Sequence, residues 1–350
     1  MTGSSKRDAL RAELFQTYSR HFAAFAQDGI AITGPGSDSI KGLTDFYACP
    51  LCLRPFHKSM LEEPRDRIPL TIEDVPPRSV ARGIPKTKLL TCRKCNSETG
   101  TRIDRALKDL IRWHDFAPGH SDKPRRCTME GQDSIVQTRL QLDERGGFRV
   151  HIVDKATNPA AKEMFLTGFR KGNYKFTASF RLPDVSRAWV SILKSAYLLM
   201  FAEFGYSYLL FTRSMDKVRL QIRESDKNHV PKCAVTRFHE LPSRCSAPSL
   251  NLISSPEWLI SFLVLLRLQR YGKEQFWGAF LPAESGIDKP SVLYERLATC
   301  TPSGIINLQA VQLLDHFPGP QRAILNEEDR HTVHEARRWL LSRTSQQGSG

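Results

Sequence analysis

The sequence predicts an α+β fold in which antiparallel strands and helices occupy separate stretches of the chain. Two CxxC pairs within the first hundred residues enclose a short strand pattern and precede a helical one. Alternating apolar residues over 135–142 and 148–153 then indicate a hairpin, and a broad apolar face over 186–204 indicates a long helix. Strands joined by short turns pair antiparallel, so we expect a C-terminal α+β domain with an antiparallel sheet.

The composition is that of a globular protein with an excess of basic residues. The 350 residues are 40% hydrophobic and 25% charged, and the formal net charge is +14. This length favours about two domains. A positive charge of this size favours a polyanionic partner, nucleic acid before membrane, although a merely solvated basic surface has the same composition.

The sequence shows no sign of export or of a membrane anchor. The N-terminal residues lack the apolar core of a secretory signal, and the most apolar run, 258–266, is too short to span a bilayer. We therefore expect a cytoplasmic protein that does not act in a membrane. In a reducing compartment, paired CxxC motifs are more often metal sites than disulfides.

Four of the eight cysteines have the spacing of a zinc site. Each CxxC turn points two thiolates at one ion, so Cys49, Cys52, Cys92 and Cys95 supply a tetrahedral set. A redox-active CxxC would not account for two pairs, and four unrelated buried thiols are the less specific alternative. Because four cysteines leave no open coordination position, the predicted zinc is structural.

Oxygen-bearing side chains between and after the cysteine pairs suggest a second metal. Glu73 and Asp74 lie on the strand pattern 70–75 and would point to opposite faces of it. Asn96 and Asp104 lie near one face of the following helix. Hard divalent cations such as Mg²⁺ and Mn²⁺ take ligands of this kind, but ordinary exposed acids would give the same spacing.

Three motifs, CPLC, LTIEDVPP and LTCRKCNSETGTRID, together resemble the zinc-stapled branch of the HNH endonuclease family over about residues 47–107. The closing motif is the most specific of the three. The resemblance implies a ββα-metal module, in which two strands and a helix surround one divalent ion. It also implies DNA hydrolysis, with Glu73 and Asn96 as metal ligands and Asp104 as a further binding or orienting group.

The sequence departs from the family pattern at the histidine that activates water, where it has Asp74. An aspartate is about two to three pH units more acidic than a histidine and is therefore a weaker general base. Asp74 is expected to act as the base or as an extra metal ligand. Three hypotheses stay open: an HNH endonuclease, a zinc-stapled nucleic-acid-binding protein without turnover, and a protein–protein scaffold.

Basic residues are dense around these motifs, and we expect several to contact phosphates. The expected contacts are Arg78, Arg93, Lys94, Arg102 and Arg105. DNA is the expected partner ahead of RNA. A protein partner or a homodimer is compatible with the sequence as well.

The predicted organisation has four parts. A helix and a loop occupy residues 1–42, the zinc-stapled HNH-like module occupies 43–115, a polar linker follows over 116–133, and an α+β domain of unassigned role covers 134–350. Within this last part, the helix over 186–204 is expected to end at Gly205, because glycine readily adopts the left-handed conformation of a C-terminal cap.

Overall fold

The computed structural model describes residues 3–27, 45–64, 67–117, 119, 123–131, 134–143, 145, 147–171, 175–211, 214–241, 247–256, 259–270, 273–283, 293–299 and 309–314. Helices and antiparallel sheets make up these ranges, as the sequence predicts. A C-terminal helix that the sequence predicts over 327–342 lies outside the described residues.

The cysteine pairs lie in a segment of short hairpins and a bent helix, which we call the cysteine module (residues 46–116). Its strands pair antiparallel as β1 with β2 and β3 with β4. After β4, the helix α2 passes through a π-helical turn, Gly100–Asp104, into α3. The elements are β1 (Phe46–Ala48), β2 (Pro55–His57), β3 (Leu70–Val75), β4 (Thr87–Cys92), α2 (Arg93–Thr99) and α3 (Arg105–Phe116), and α1 (Gly3–Gln27) precedes them.

A small four-stranded sheet follows, with the strand order β7-β6-β5-β8. Its core contains Phe116 from the end of α3, Met129, Val136 and Phe165. The first strand lies within 116–133, where the sequence predicts a linker. The elements are β5 (Arg125–Glu130), β6 (Ile135–Leu142), β7 (Phe148–Ile152), α4 (Pro159–Arg170) and β8 (Thr177–Ser179).

A larger sheet of five strands has the order β13-β10-β11-β12-β9, and every neighbouring pair in it is antiparallel. This confirms the antiparallel sheet predicted for the C-terminal part. The elements are α5 (Val185–Phe211), α6 (Ser214–Arg223), β9 (Val235–Phe238), β10 (Ser249–Ser255), β11 (Ser261–Leu268), β12 (Gln275–Pro282), α7 (Leu293–Thr299) and β13 (Gln309–Leu314).

The helix α5 joins the cysteine module to the larger sheet. It is buried without interruption from Ala188 to Tyr206, because most of its residues over this stretch are apolar. One continuous hydrophobic core runs from Leu14 on α1 through α5 to Leu297 on α7. At Gly205, where the sequence predicts the helix to end, φ is 58° and the helix kinks before it resumes.

No helix in the described ranges, including the 27 residues of α5, combines the length and the apolarity needed to cross a membrane.

Candidate metal centre and adjoining basic groove

The four predicted zinc ligands lie together. Cys49 and Cys52 lie on the turn after β1, Cys92 ends β4, and Cys95 lies in the first turn of α2. Their Sγ atoms are all within 4.8 Å of one another. In the described part of the chain this is the sole group of three or more Cys, His, Asp or Glu side chains with that proximity. Four sulfur donors at this spacing could hold one metal ion such as zinc.

Backbone N–H groups donate to two of the four cysteine sulfurs, although burial raises the pKa of Cys49. The Cys92 N–H donates to Cys49 Sγ at 3.3 Å, and the Cys95 N–H donates to Cys92 Sγ at 3.4 Å. A hydrogen bond from Cys49 lowers the pKa of Cys92 to about 7. Metal ligation requires deprotonated thiols, and these two N–H donors would stabilise them.

The helix α5 positions the first cysteine pair from outside the module. The hydroxyl of Tyr197 donates to the Pro50 carbonyl at 2.7 Å, and that of Tyr206 donates to the Ala48 carbonyl at 2.6 Å. Both tyrosines are fully buried. The backbone on either side of Cys49 is therefore fixed by side chains about 150 residues further along the chain.

A buried charged cluster, which the sequence did not predict, lies one helical turn beyond Cys95. Lys194 Nζ on α5 donates to Asp104 Oδ2 at 2.6 Å, to Glu73 Oε1 at 2.9 Å and to Thr99 Oγ1 at 3.1 Å. The exposed fractions of the Lys194, Glu73 and Asp104 side chains are 1%, 5% and 11%. The three donors of the ammonium thus meet three acceptors in the protein interior.

The outer oxygens of the two carboxylates also have partners. Ser191 Oγ donates to Asp104 Oδ1 at 2.6 Å, and Thr91 Oγ1 donates to Glu73 Oε2 at 3.5 Å. Ser191 and Lys194 are three residues apart on α5 and therefore share one of its faces. We call these six residues, Glu73, Thr91, Thr99, Asp104, Ser191 and Lys194, the lysine cluster.

The charges in the lysine cluster act strongly on one another. Burial lowers the pKa of Lys194, but the carboxylates of Asp104 and Glu73 outweigh it and raise that pKa above its usual value. Burial raises the pKa of Glu73, and the Lys194 ammonium opposes the increase without cancelling it. The two carboxylates therefore stabilise the ammonium form of Lys194.

The structure brings together two of the four side chains that the sequence associates with a divalent ion. Glu73 and Asp104 meet at Lys194, whereas the Asn96 side chain donates to Thr71 Oγ1 at 2.8 Å. Asp74 faces away from Glu73 on β3, as expected from strand alternation, and is paired in register with Lys88.

These side chains do not fit a divalent ion in this arrangement. Mg²⁺ needs near-octahedral oxygen ligands at about 2.0–2.1 Å and usually keeps several waters. The Lys194 ammonium already lies within hydrogen-bonding distance of both carboxylates, in the space that such an ion would need. The expectation of Mg²⁺ or Mn²⁺ at Glu73, Asn96 and Asp104 stays a prediction, and Lys194 argues against it.

A basic groove of about 890 Å³ opens beside the module. One wall is the π-helical turn with α3, another is formed by β5 and β6, and the segment that leads into α5 closes the third side. Nine basic and two acidic residues line it. The basic residues are Arg102, Arg105, Arg112, Lys123, Arg125, Arg126, Arg139, Arg181 and Arg187.

Positive charges crowd one another inside the groove. The Arg125 guanidinium lies over the Trp113 ring, 4.7 Å from its centroid. Burial and the neighbouring Arg112 guanidinium lower the pKa of Arg125. An anion in the groove would relieve this repulsion, because it would place negative charge near the Arg112 and Arg125 guanidinium groups.

One exposed carboxylate joins two sides of the groove. Asp226 Oδ2 accepts from Arg102 Nη2 at 3.0 Å, and its Oδ1 accepts from Arg187 Nε at 3.0 Å. The Arg187 and Arg102 guanidinium groups lower the pKa of Asp226. Asp226 therefore occupies donors that two groove arginines would otherwise offer to a ligand.

The five predicted phosphate contacts separate into two groups. Arg102 and Arg105 line the groove. Arg78, Arg93 and Lys94 are exposed, but none of them lines it. Of the eight groove arginines, four come from β5, β6 and the segment before α5, and Arg187 lies in the first turn of α5. Local sequence patterns do not reveal that these elements lie next to the module.

No match to this chain was found among protein-family models, curated proteins or solved structures. The resemblance to HNH endonucleases therefore stays a prediction that rests on the sequence motifs.

Proposed function

We propose that this protein binds nucleic acid along the basic groove, with a zinc-loaded cysteine module as one wall, and that it does not hydrolyse the bound strand. The observation that carries the proposal is the charge of the groove, which is lined by nine basic and two acidic residues. Duplex DNA is the first ligand to test, ahead of RNA.

The shape and the charge of the groove suit a phosphate backbone. A groove that is open to solvent admits a polymer, and arginines on three sides can each pair with phosphate oxygens through two parallel hydrogen bonds. Contacts of this kind give affinity that depends on salt and little on sequence. The net charge of +14 adds long-range attraction for a polyanion.

Zinc at the four cysteines gives this wall its shape. The ion would join the turn after β1 to β4 and α2, and α2 leads directly into the π-helical turn with Arg102 and then into α3 with Arg105. A closed four-cysteine site supplies folding free energy and no open position for substrate. The role proposed for zinc is therefore structural.

DNA hydrolysis by an HNH-type centre is the second candidate. The order β3-β4-α2 around the cysteines supports it, since two strands and a helix are what the resemblance implies. Two observations weigh against it: Asp74 faces away from Glu73, and Lys194 already pairs with Glu73 and Asp104. We therefore place binding without cleavage first.

The test is fluorescence anisotropy with a labelled 20-base-pair duplex, a matching single strand and a matching RNA at several salt concentrations. The variant Arg105→Ala/Arg126→Ala removes two exposed groove side chains. We expect it to reduce the slope of log K against log[salt] by about 2, since each phosphate contact with duplex contributes about 0.9.

The control variant, Arg149→Ala/Arg170→Ala, removes the same charge from exposed positions outside the groove. It should leave the slope close to that of the wild type. Equal losses in both variants, or no salt-dependent binding at all, would contradict the proposal. Plasmid cleavage with Mg²⁺ or Mn²⁺ that disappears in Glu73→Ala would favour the nuclease instead.

A further inference from the structure

We infer that Lys194 is an internal cation that takes the place of a divalent metal ion between Glu73 and Asp104. The lysine cluster would then be a metal site closed by the protein's own side chain. This inference is independent of nucleic-acid binding, because it concerns a buried cluster and not the groove.

The first support is the completeness of the coordination around the ammonium. Lys194 Nζ has acceptors at 2.6, 2.9 and 3.1 Å, one for each of its N–H bonds. The acceptors come from β3, from α2 and from the π-helical turn, whereas Lys194 comes from α5. A cation thus sits where three separate elements of the module converge.

The second support is the charge of the site without the lysine. Glu73 and Asp104 are both buried, and each lies next to the same Nζ atom, so their carboxylates are close neighbours. Two buried carboxylates at this distance repel each other and need a cation or a proton. In the described structure the cation is Lys194, whose Nζ lies within hydrogen-bonding distance of both carboxylates.

The third support is the pair of hydroxyl groups that orient the two carboxylates. Ser191 and Thr91 donate to the two outer carboxylate oxygens, so the carboxylates are oriented with their inner oxygens towards Nζ. Hydrogen bonds that orient ligating carboxylates are a regular feature around metal ions. Here they orient the same oxygens towards an ammonium.

The loss of the Lys194 charge should change how the two carboxylates bind divalent cations. Shortening Lys194 to alanine removes the charge and leaves space, so the two carboxylates should acquire a divalent cation together with some water. Lys194→Met removes the charge but keeps most of the volume, so it should acquire the cation much less well. In the wild type the carboxylates should take no divalent cation.

The experiment is a titration of the zinc-loaded full chain with Mn²⁺, in which free Mn²⁺ is read by its electron paramagnetic resonance signal. We expect Lys194→Ala to bind one Mn²⁺ per chain more than the wild type does. That additional ion should disappear in Lys194→Ala/Glu73→Gln, and Mn²⁺ should raise the Tm of Lys194→Ala alone. Wild type and Glu73→Gln should bind equal amounts.

Two results would overturn the inference. One is wild-type protein that binds a Mn²⁺ lost in Glu73→Gln, because the carboxylates would then hold a metal in spite of Lys194. The other is a folded Lys194→Ala protein with no additional Mn²⁺. If Lys194→Ala does not fold, the comparison of wild type with Glu73→Gln still decides, since that substitution keeps the size of the side chain and leaves Lys194 paired with Asp104.

Discussion

At the scale of single residues, the least expected feature is a lysine at the centre of a buried helix. Its side chain is 1% exposed, and buried apolar residues such as Leu193 and Ala196 lie close to it in sequence. A buried ammonium is tolerated only if its charge and its donors are satisfied. Glu73, Asp104 and Thr99 satisfy them, and in doing so they tie α5 to the cysteine module.

We expect Lys194→Met to lower the free energy of unfolding by about 3–5 kcal/mol, which is the usual cost of leaving a buried charge without its partner. Urea denaturation with zinc present measures this change. Lys162→Met is the control, because it removes an exposed lysine that pairs with Asp154 and should leave stability almost unchanged. A similarly small effect for both variants would show that the buried cluster does not stabilise the fold.

Glu73 should give the protein a measurable pH dependence. Its pKa in the folded state is raised above the usual 4.5, mainly by burial. The folded protein therefore binds this proton more tightly than the unfolded chain does, so the stability it contributes is present below about pH 4.5 and is lost as pH rises through the folded-state pKa.

The side chain introduced by Glu73→Gln does not ionise in this pH range. The free energy of unfolding of the variant minus that of the wild type should therefore increase with pH above about pH 4.5 and then level off. Urea denaturation at several pH values measures the difference, and effects of pH on the cysteines cancel in it. A difference that is constant over the whole range would show that Glu73 ionises in the folded protein as it does in the unfolded chain.

At the scale of helices and strands, the sequence patterns predicted local elements but not the contacts between residues that are far apart in the chain. The hairpin β6–β7, the long helix α5 and its break at Gly205 all follow from residues that are neighbours in sequence. The lysine cluster depends on pairs that are 90 and 121 residues apart, which no local spacing reveals. The available signal was polar Ser191 and Lys194, three residues apart within a predominantly apolar helix.

The exposed Asp226 carboxylate pairs with two groove arginines, Arg102 and Arg187. Asp226→Ala frees Arg102 and Arg187, so we expect about three- to tenfold tighter DNA binding at low salt. Fluorescence anisotropy measures it, with Asp154→Ala as a control that removes an exposed acid outside the groove. If both variants tighten binding equally, the effect is one of net charge and not of released arginines.

At the scale of the whole molecule, the cysteine module and the larger sheet share one hydrophobic core. The sequence predicts the module, a linker and a C-terminal domain as separate segments because composition changes along the chain. The burial of α5 between the cysteine module and the larger sheet depends on tertiary packing. The hydrogen bonds from Tyr206 to Ala48 and from Tyr197 to Pro50 depend on the same packing. Neither could be anticipated from the periodicity of the segments alone.

A shared core makes zinc important beyond the cysteines that would hold it. Removal of the ion leaves four thiols close together, without the bonds that hold β1, β4 and α2 in place. Since α5 contacts the backbone on both sides of Cys49, this loss should reach the larger sheet. We therefore expect a chelator to lower the Tm of the main unfolding transition by about 10 °C or more, because structural zinc sites contribute several kcal/mol of folding free energy.

Differential scanning calorimetry with and without chelator measures this, and added zinc should restore the original Tm. Arg149→Ala/Arg170→Ala protein should respond to the chelator as the wild type does, because both residues are exposed and lie on β7 and α4, which carry none of the four cysteines. A main transition that keeps its Tm while a small separate transition shifts would instead show that the module unfolds by itself. In that case the core around α5 would not transmit the loss of zinc, and the cooperative behaviour expected from one continuous core would be wrong.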